Sequence, residues 1–214
     1  MIERAIAAGT HGRYLIEPPA SSGPAPILAG FHGYGEGADA QLERMRRIPG
    51  ADRWRLVSIQ GLHRFYQRRA NEVVASWMTR QDRELAIADN LAYVAAVIDA
   101  VDREYPGAPR LVFSGFSQGV AMAFRAAAAS PRAVDGVIAV GGDVPPELDA
   151  AAVGRVGRAL VCHGTRDEWY TEAIFDRDVR RLREAHVAVS PVTFDGGHEW
   201  SDAVVQAASA FLRE

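Results

Sequence analysis

The sequence predicts an α/β fold in a single domain over residues 1–214, with a mostly parallel central sheet and helices on both faces. Three observations predict it. Short apolar runs alternate with helical patterns along the chain. The runs are apolar throughout rather than at every second residue, as strands covered on both faces require. A length of 214 residues suffices for one substantial core, and no internal repeat marks a solenoid or propeller.

Taken in order, the segment from Pro18 to Pro26 reads as a loop between an early strand and the first core strand. Strands are predicted at Ile27 to Phe31, Leu56 to Ile59, Leu111 to Gly115, Gly136 to Val140, Ala159 to Cys162 and Val187 to Phe194. The clearest helix runs from Arg83 to Glu104, where Ile87, Leu91, Val94, Ile98 and Val101 recur at steps of four and three. Pro106 and Gly107 end it. Weaker stripes of the same kind cover Arg177 to His186 and Glu199 to Leu212. The helix of Val120 to Ala129 is small-sided almost all round, which suits close packing in the middle of the fold. Residues Leu62 to Met78 read as a long crossover loop.

Composition narrows the function. The net charge of −3 is spread along the chain, and no basic block suggests a nucleic-acid surface. No run approaches about 18 apolar residues, so no stable membrane insertion is expected. The first residues lack the pattern of a secretory leader. The lone Cys162 excludes an internal disulfide framework and fits a reducing, cytoplasmic setting. No set of His, Cys and Asp has ligand-like spacing, so neither metal nor cofactor is expected.

The chemistry concentrates at Gly115-Phe116-Ser117-Gln118-Gly119, between the strand from Leu111 and the Ala-rich helix. A G-x-S-x-G segment in that context is a nucleophile elbow, a turn too tight for side chains beside the serine. It lifts the hydroxyl above the sheet at a helix N-terminus. Serine needs a base to act near neutral pH. In this fold, the α/β-hydrolase fold, the chain order is serine, acid, histidine. Of six histidines, His198 fits: it follows the last predicted strand in Asp195-Gly196-Gly197-His198. His163 precedes the acid candidate, and His186 lies on a helical pattern. Asp167, closing the segment that begins at Ala159, is the acid that would hold the imidazole. Asp143 is the alternative, and Asp195 is too near His198 in sequence.

An oxyanion hole needs backbone N–H groups aimed at the developing charge. One should come from Gln118 and the other from Tyr34, in the loop Phe31-His32-Gly33-Tyr34-Gly35-Glu36-Gly37. His32 is expected to shape that loop rather than titrate. The loop lacks the lysine and spacing of a phosphate-binding P-loop.

Together, His32-Gly33-Tyr34-Gly35, Gly115 to Gly119, His163-Gly164-Thr165-Arg166-Asp167 and Gly197-His198-Glu199 resemble the phospholipase/carboxylesterase family, which includes acyl-protein thioesterases and bacterial carboxylesterases. Ser76-Trp77 ahead of the long helix adds to the resemblance, which runs from about Ile27 to the end. It implies a hydrolase with little or no lid, acting on small-molecule carboxylic esters or thioesters with the same triad and oxyanion donors. The chain departs from the family at Glu36, where Asp is usual. It departs again at Glu168-Trp169-Tyr170-Thr171, in place of an apolar-Pro run, and at Gly141-Gly142-Asp143, in place of Ser-Gly. All three could line the substrate site.

Phe65, Tyr66, Trp77 and Met78 in the crossover loop, with Trp169, are candidates for an acyl or leaving-group pocket, although the loop aromatics equally suit packing. Arg64, Arg68 and Arg69 read as a charged surface or as a preference for anionic substrates. The same triad would also serve acyl transfer to an alcohol, amine or peroxide. Serine at the elbow disfavours a dienelactone-hydrolase-type enzyme, and an intact triad disfavours a mere binding protein. Oligomeric state is not encoded legibly.

Overall fold

The computed structural model describes residues 1–67 and 71–214; Arg68 and Arg69 of the charged-surface expectation lie outside them. Seven strands form one sheet: β1 (Tyr14–Glu17), β2 (Ile27–Phe31), β3 (Arg55–Ile59), β6 (Leu111–Phe116), β7 (Gly136–Val140), β8 (Arg158–Gly164) and β9 (Ala188–Phe194). Their spatial order is β1-β3-β2-β6-β7-β8-β9. Only β1 runs antiparallel to its neighbour; every other pairing is parallel. All six predicted strands are present, and their ends differ from the predicted ones by at most two residues.

The alternation of side chains across the sheet explains the uninterrupted apolar runs. Ile27, Ala29 and Phe31 of β2, Leu111 and Phe113 of β6, and Ala159 and Val161 of β8 point to one face. There they pack against α2 (Arg83–Glu104), α3 (Gln118–Ala129) and α5 (Glu172–Glu184). Leu28, Val112, Leu160 and Cys162 point to the other face, beneath α1 (Ala38–Arg46) and α6 (Asp202–Arg213). A short helix, α4 (Ala150–Val153), precedes β8. Each central strand therefore feeds two cores, so most of its positions are apolar.

Two elements differ from expectation. The crossover between Leu62 and Met78 contains an antiparallel hairpin, β4 (His63–Gln67) with β5 (Glu72–Ser76), outside the main sheet. The polar stretch after Gly37 folds into α1, which buries Ala38, Leu42 and Met45. His186 is exposed just past α5 with φ 62°, in the left-handed position that ends a helix.

The topology positions the site. The chain moves from β2 outward to β3, then crosses back to β6 on the other side of β2. This reversal is the switch point where open α/β sheets leave a crevice at the carboxyl ends of their strands.

Candidate active site

Ser117 stands at the end of β6 with φ 52° and ψ −121°, strained backbone for a residue with a side chain. The surrounding glycines make that turn available. A Cβ at Gly115 would lie 2.6 Å from the backbone nitrogen of Val120, and one at Gly119 would collide with the carbonyls of Phe31 and His32. The first turn of α3 thus lies directly against the end of β2. Ser117 N–H donates to the Val140 carbonyl at 2.9 Å, which ties the elbow to β7.

His198 follows β9, and its Nδ1 donates to Asp167 Oδ2 at 2.8 Å. Asp167 follows β8 with its side chain 1% exposed. Its second oxygen accepts the N–H groups of Trp169 and Tyr170, each at 2.9 Å. Both carboxylate oxygens are thereby engaged, and one imidazole tautomer is selected, with Nε2 free. The ring also lies 5.0 Å from that of Phe116. Ser117, Gln118 and His198 line one cleft of about 290 Å³ with Gly141, Gly142, Asp143, Trp169, Tyr170 and Ile174. No Ser117–His198 hydrogen bond is closed among the described residues, a common geometry before substrate binds. Asp143, the alternative acid, lines the cleft without bonding His198, and Asp195 pairs with Arg166.

The loop after β2 is braced from three directions. Glu36 accepts from Gly33 N–H at 2.8 Å and from both terminal nitrogens of Arg44, at 2.7 and 2.5 Å. Burial alone would raise the Glu36 carboxyl, but the hydrogen bonds and charge of Arg44 hold it below its ordinary value. Gly35 N–H and the Glu36 carbonyl pair with Ala75, joining the loop to β5. His32 is buried; its Nδ1 donates to the Gly33 carbonyl at 2.7 Å and its Nε2 accepts from Gly61 N–H at 3.0 Å. Burial lowers its pKa, so it stays neutral and structural. The N–H groups of Tyr34 and Gln118 carry no hydrogen bond among the described residues. The Gln118 side chain does: it accepts from Trp77 N–H at 3.0 Å and donates to the Met78 carbonyl at 3.1 Å.

Trp77 corrects an expectation. Its indole is 0% exposed, lies 5.5 Å from the Phe31 ring, and donates Nε1–H to the His32 carbonyl at 2.8 Å. It is a core anchor under the loop after β2 and does not line the cleft. Phe65, on β4, is 37% exposed and packs 5.6 Å from the ring of Tyr34, and it too does not line the cleft. Trp169 is 80% exposed and does line the cleft. Sequence reasoning missed Glu36 and Arg44 as loop braces and Asn90 as a clamp. Asn90 bonds the Trp77 carbonyl at 2.9 Å and Leu62 N–H at 3.1 Å from inside α2. A buried asparagine amid an apolar stripe was the available signal.

No helix among the described residues is long and apolar enough to cross a membrane. Residues 16–214 match the family model described as Phospholipase/Carboxylesterase. Among curated proteins, none matches the chain. Among solved structures, an acyl-protein thioesterase 2 from Zea mays is 18% identical, with 95% of this chain and 98% of that one covered at a TM-score of 0.75. A Bacillus cereus carboxylesterase is 17% identical, with 94% and 93% covered at 0.76. Esterase PE8 is 21% identical, with 95% and 99% covered at 0.74. At these identities the structural likeness establishes the α/β-hydrolase fold, and the family match over nearly the whole chain establishes more: the chain belongs to the phospholipase/carboxylesterase family.

Proposed function

We propose that the chain is a serine hydrolase that cleaves small carboxylic esters or thioesters through an acyl-serine intermediate. The observation that carries this reading is the 2.8 Å bond from His198 to a buried, doubly anchored Asp167, beside a serine on a strained elbow in the same cleft. Ser117 Oγ attacks the carbonyl carbon while His198 Nε2 takes its proton. The oxyanion accepts from the N–H groups of Tyr34 and Gln118, which no acceptor occupies among the described residues. His198 then returns the proton to the leaving alcohol or thiol, and water repeats the cycle to release the acid. Asp167 stabilises the imidazolium at both stages. The reaction requires neither metal nor cofactor, and the single cysteine suits a reducing cytoplasmic setting.

Hydrolysis of p-nitrophenyl esters from acetate to palmitate, compared between wild type and Ser117→Ala, tests the reading. Loss of about 10³-fold or more in kcat supports it. A variant that retains most of the activity refutes it.

A further inference from the structure

The cleft beside His198 carries a feature that the hydrolytic reading does not use. Asp143 and Trp169 line it from two different strand ends, after β7 and after β8. Asp143 is solvent-exposed at the cleft, and its side chain makes no ion pair or hydrogen bond among the described residues. The arginines near this corner, Arg125, Arg177 and Arg181, are committed elsewhere, Arg181 to the carbonyls of Val144, Pro145 and Leu148. Arg125 bonds Glu147 at 2.5 and 2.7 Å, and Arg177 bonds Asp178 at 2.9 Å. Trp169 is anchored through its backbone to Asp167, yet its indole is almost wholly exposed. Glu168, next to it, is exposed as well. An unpaired carboxylate and an open indole face in one cleft form the recognition chemistry of an alkylammonium group.

The position also tells which half of the substrate is read. A Cβ at Gly141 would lie 3.2 Å from the His198 ring, so the Gly141-Gly142-Asp143 segment borders the base that protonates the leaving atom. We propose that Asp143 and Trp169 form a subsite for a cationic leaving group, making esters or thioesters of amino alcohols or quaternary-ammonium alcohols the preferred substrate class. The assignment to the leaving side rests on the serine-hydrolase reading; the cation site itself rests on the cleft.

The test compares acetylthiocholine with its uncharged isostere, in which a tert-butyl group replaces trimethylammonium. Wild type is expected to favour the cation at least tenfold in kcat/KM, and Asp143→Asn to lower that ratio at least fivefold, with Trp169→Leu acting in the same direction. Choline is also titrated calorimetrically into Ser117→Ala, where turnover plays no part. Adding Asp143→Asn to that protein should weaken choline binding at least fivefold. A wild-type ratio near one, a ratio unchanged in Asp143→Asn, or no choline binding to Ser117→Ala overturns the subsite. If wild type turns over neither ester, the p-nitrophenyl series decides the hydrolytic reading, and the choline titration still decides the cation site.

Discussion

At the residue scale the candidate site divides into groups that would react and groups that hold them. Asp167 does both, because one oxygen meets His198 while the other binds two backbone N–H groups. Asp167→Asn keeps the shape but offers a single carbonyl oxygen for those two duties. On the proposed mechanism, kcat should fall about 10³- to 10⁴-fold with little change in melting temperature, as steady-state kinetics and thermal unfolding would show. An Asp167→Asn enzyme with near-normal kcat would remove the aspartate from the mechanism. Glu36 is a holding residue with a pH signature. Its folded pKa lies below the ordinary 4.5, so its contribution to stability is present above that value. The contribution is lost as pH falls through the lower folded value. The stability gap between wild type and Glu36→Gln, read from denaturant unfolding, should therefore be full at neutral pH and shrink below about pH 4.5. Ser117, Asp167 and His198 were legible because each follows a strand at a glycine-bearing turn in the required chain order. Glu36 was visible only as a departure from the family pattern, since its ion pair with Arg44 exists only once α1 has formed.

At the element scale, legibility followed the strength of the period. The strands and α2 carry dense apolar patterns, whereas α1 offers only Ala38, Leu42 and Met45, at offsets of four and seven, within a polar stretch. The β4–β5 hairpin hid because β4 is exposed along its length and lacks the inward alternation that announces a strand. An aromatic in such a segment looks the same in sequence whether it faces in or out, which is why Trp77 and Phe65 were grouped. The structure separates them, and mutation should too. Trp77→Ala empties a sealed position and removes the bond to the His32 carbonyl, so it should cost about 3–5 kcal/mol in denaturant unfolding. Phe65→Ala should cost no more than about 1 kcal/mol and instead change the acyl-length profile, because the ring packs on Tyr34, whose N–H is a proposed oxyanion donor. Equal destabilisation by the two would contradict this division of the hairpin.

At the scale of the molecule, alternating strands and helices made a parallel sheet legible, but not the order of its strands. Order depends on which helix covers which face, and apolar runs with both sides alike carry no such label. The two cores meet across the sheet, and Cys162 lies in the second of them, with Leu160, Phe194 and Trp200 among its members. Burial pushes its thiol up to about 12, which disfavours the reactive thiolate for as long as this core stays closed. Modification by an aromatic disulfide reagent therefore requires this core to open, and the single cysteine reports how much of the molecule opens with it. If the sheet and both helix layers unfold as one unit, cysteine labelling and tryptophan fluorescence should share one denaturant midpoint. The weak point of that unit is the edge, where β9 has mostly exposed or half-exposed side chains and contacts the sheet through β8 alone. Labelling that begins well before the fluorescence transition would mean that β9 and α6 detach first, carrying His198 away from Asp167 while the rest of the sheet persists. The expected outcome is coincidence, because α6 buries Val204, Val205, Ala208, Phe211 and Leu212 in the same core as Cys162 and so couples that edge to the central strands.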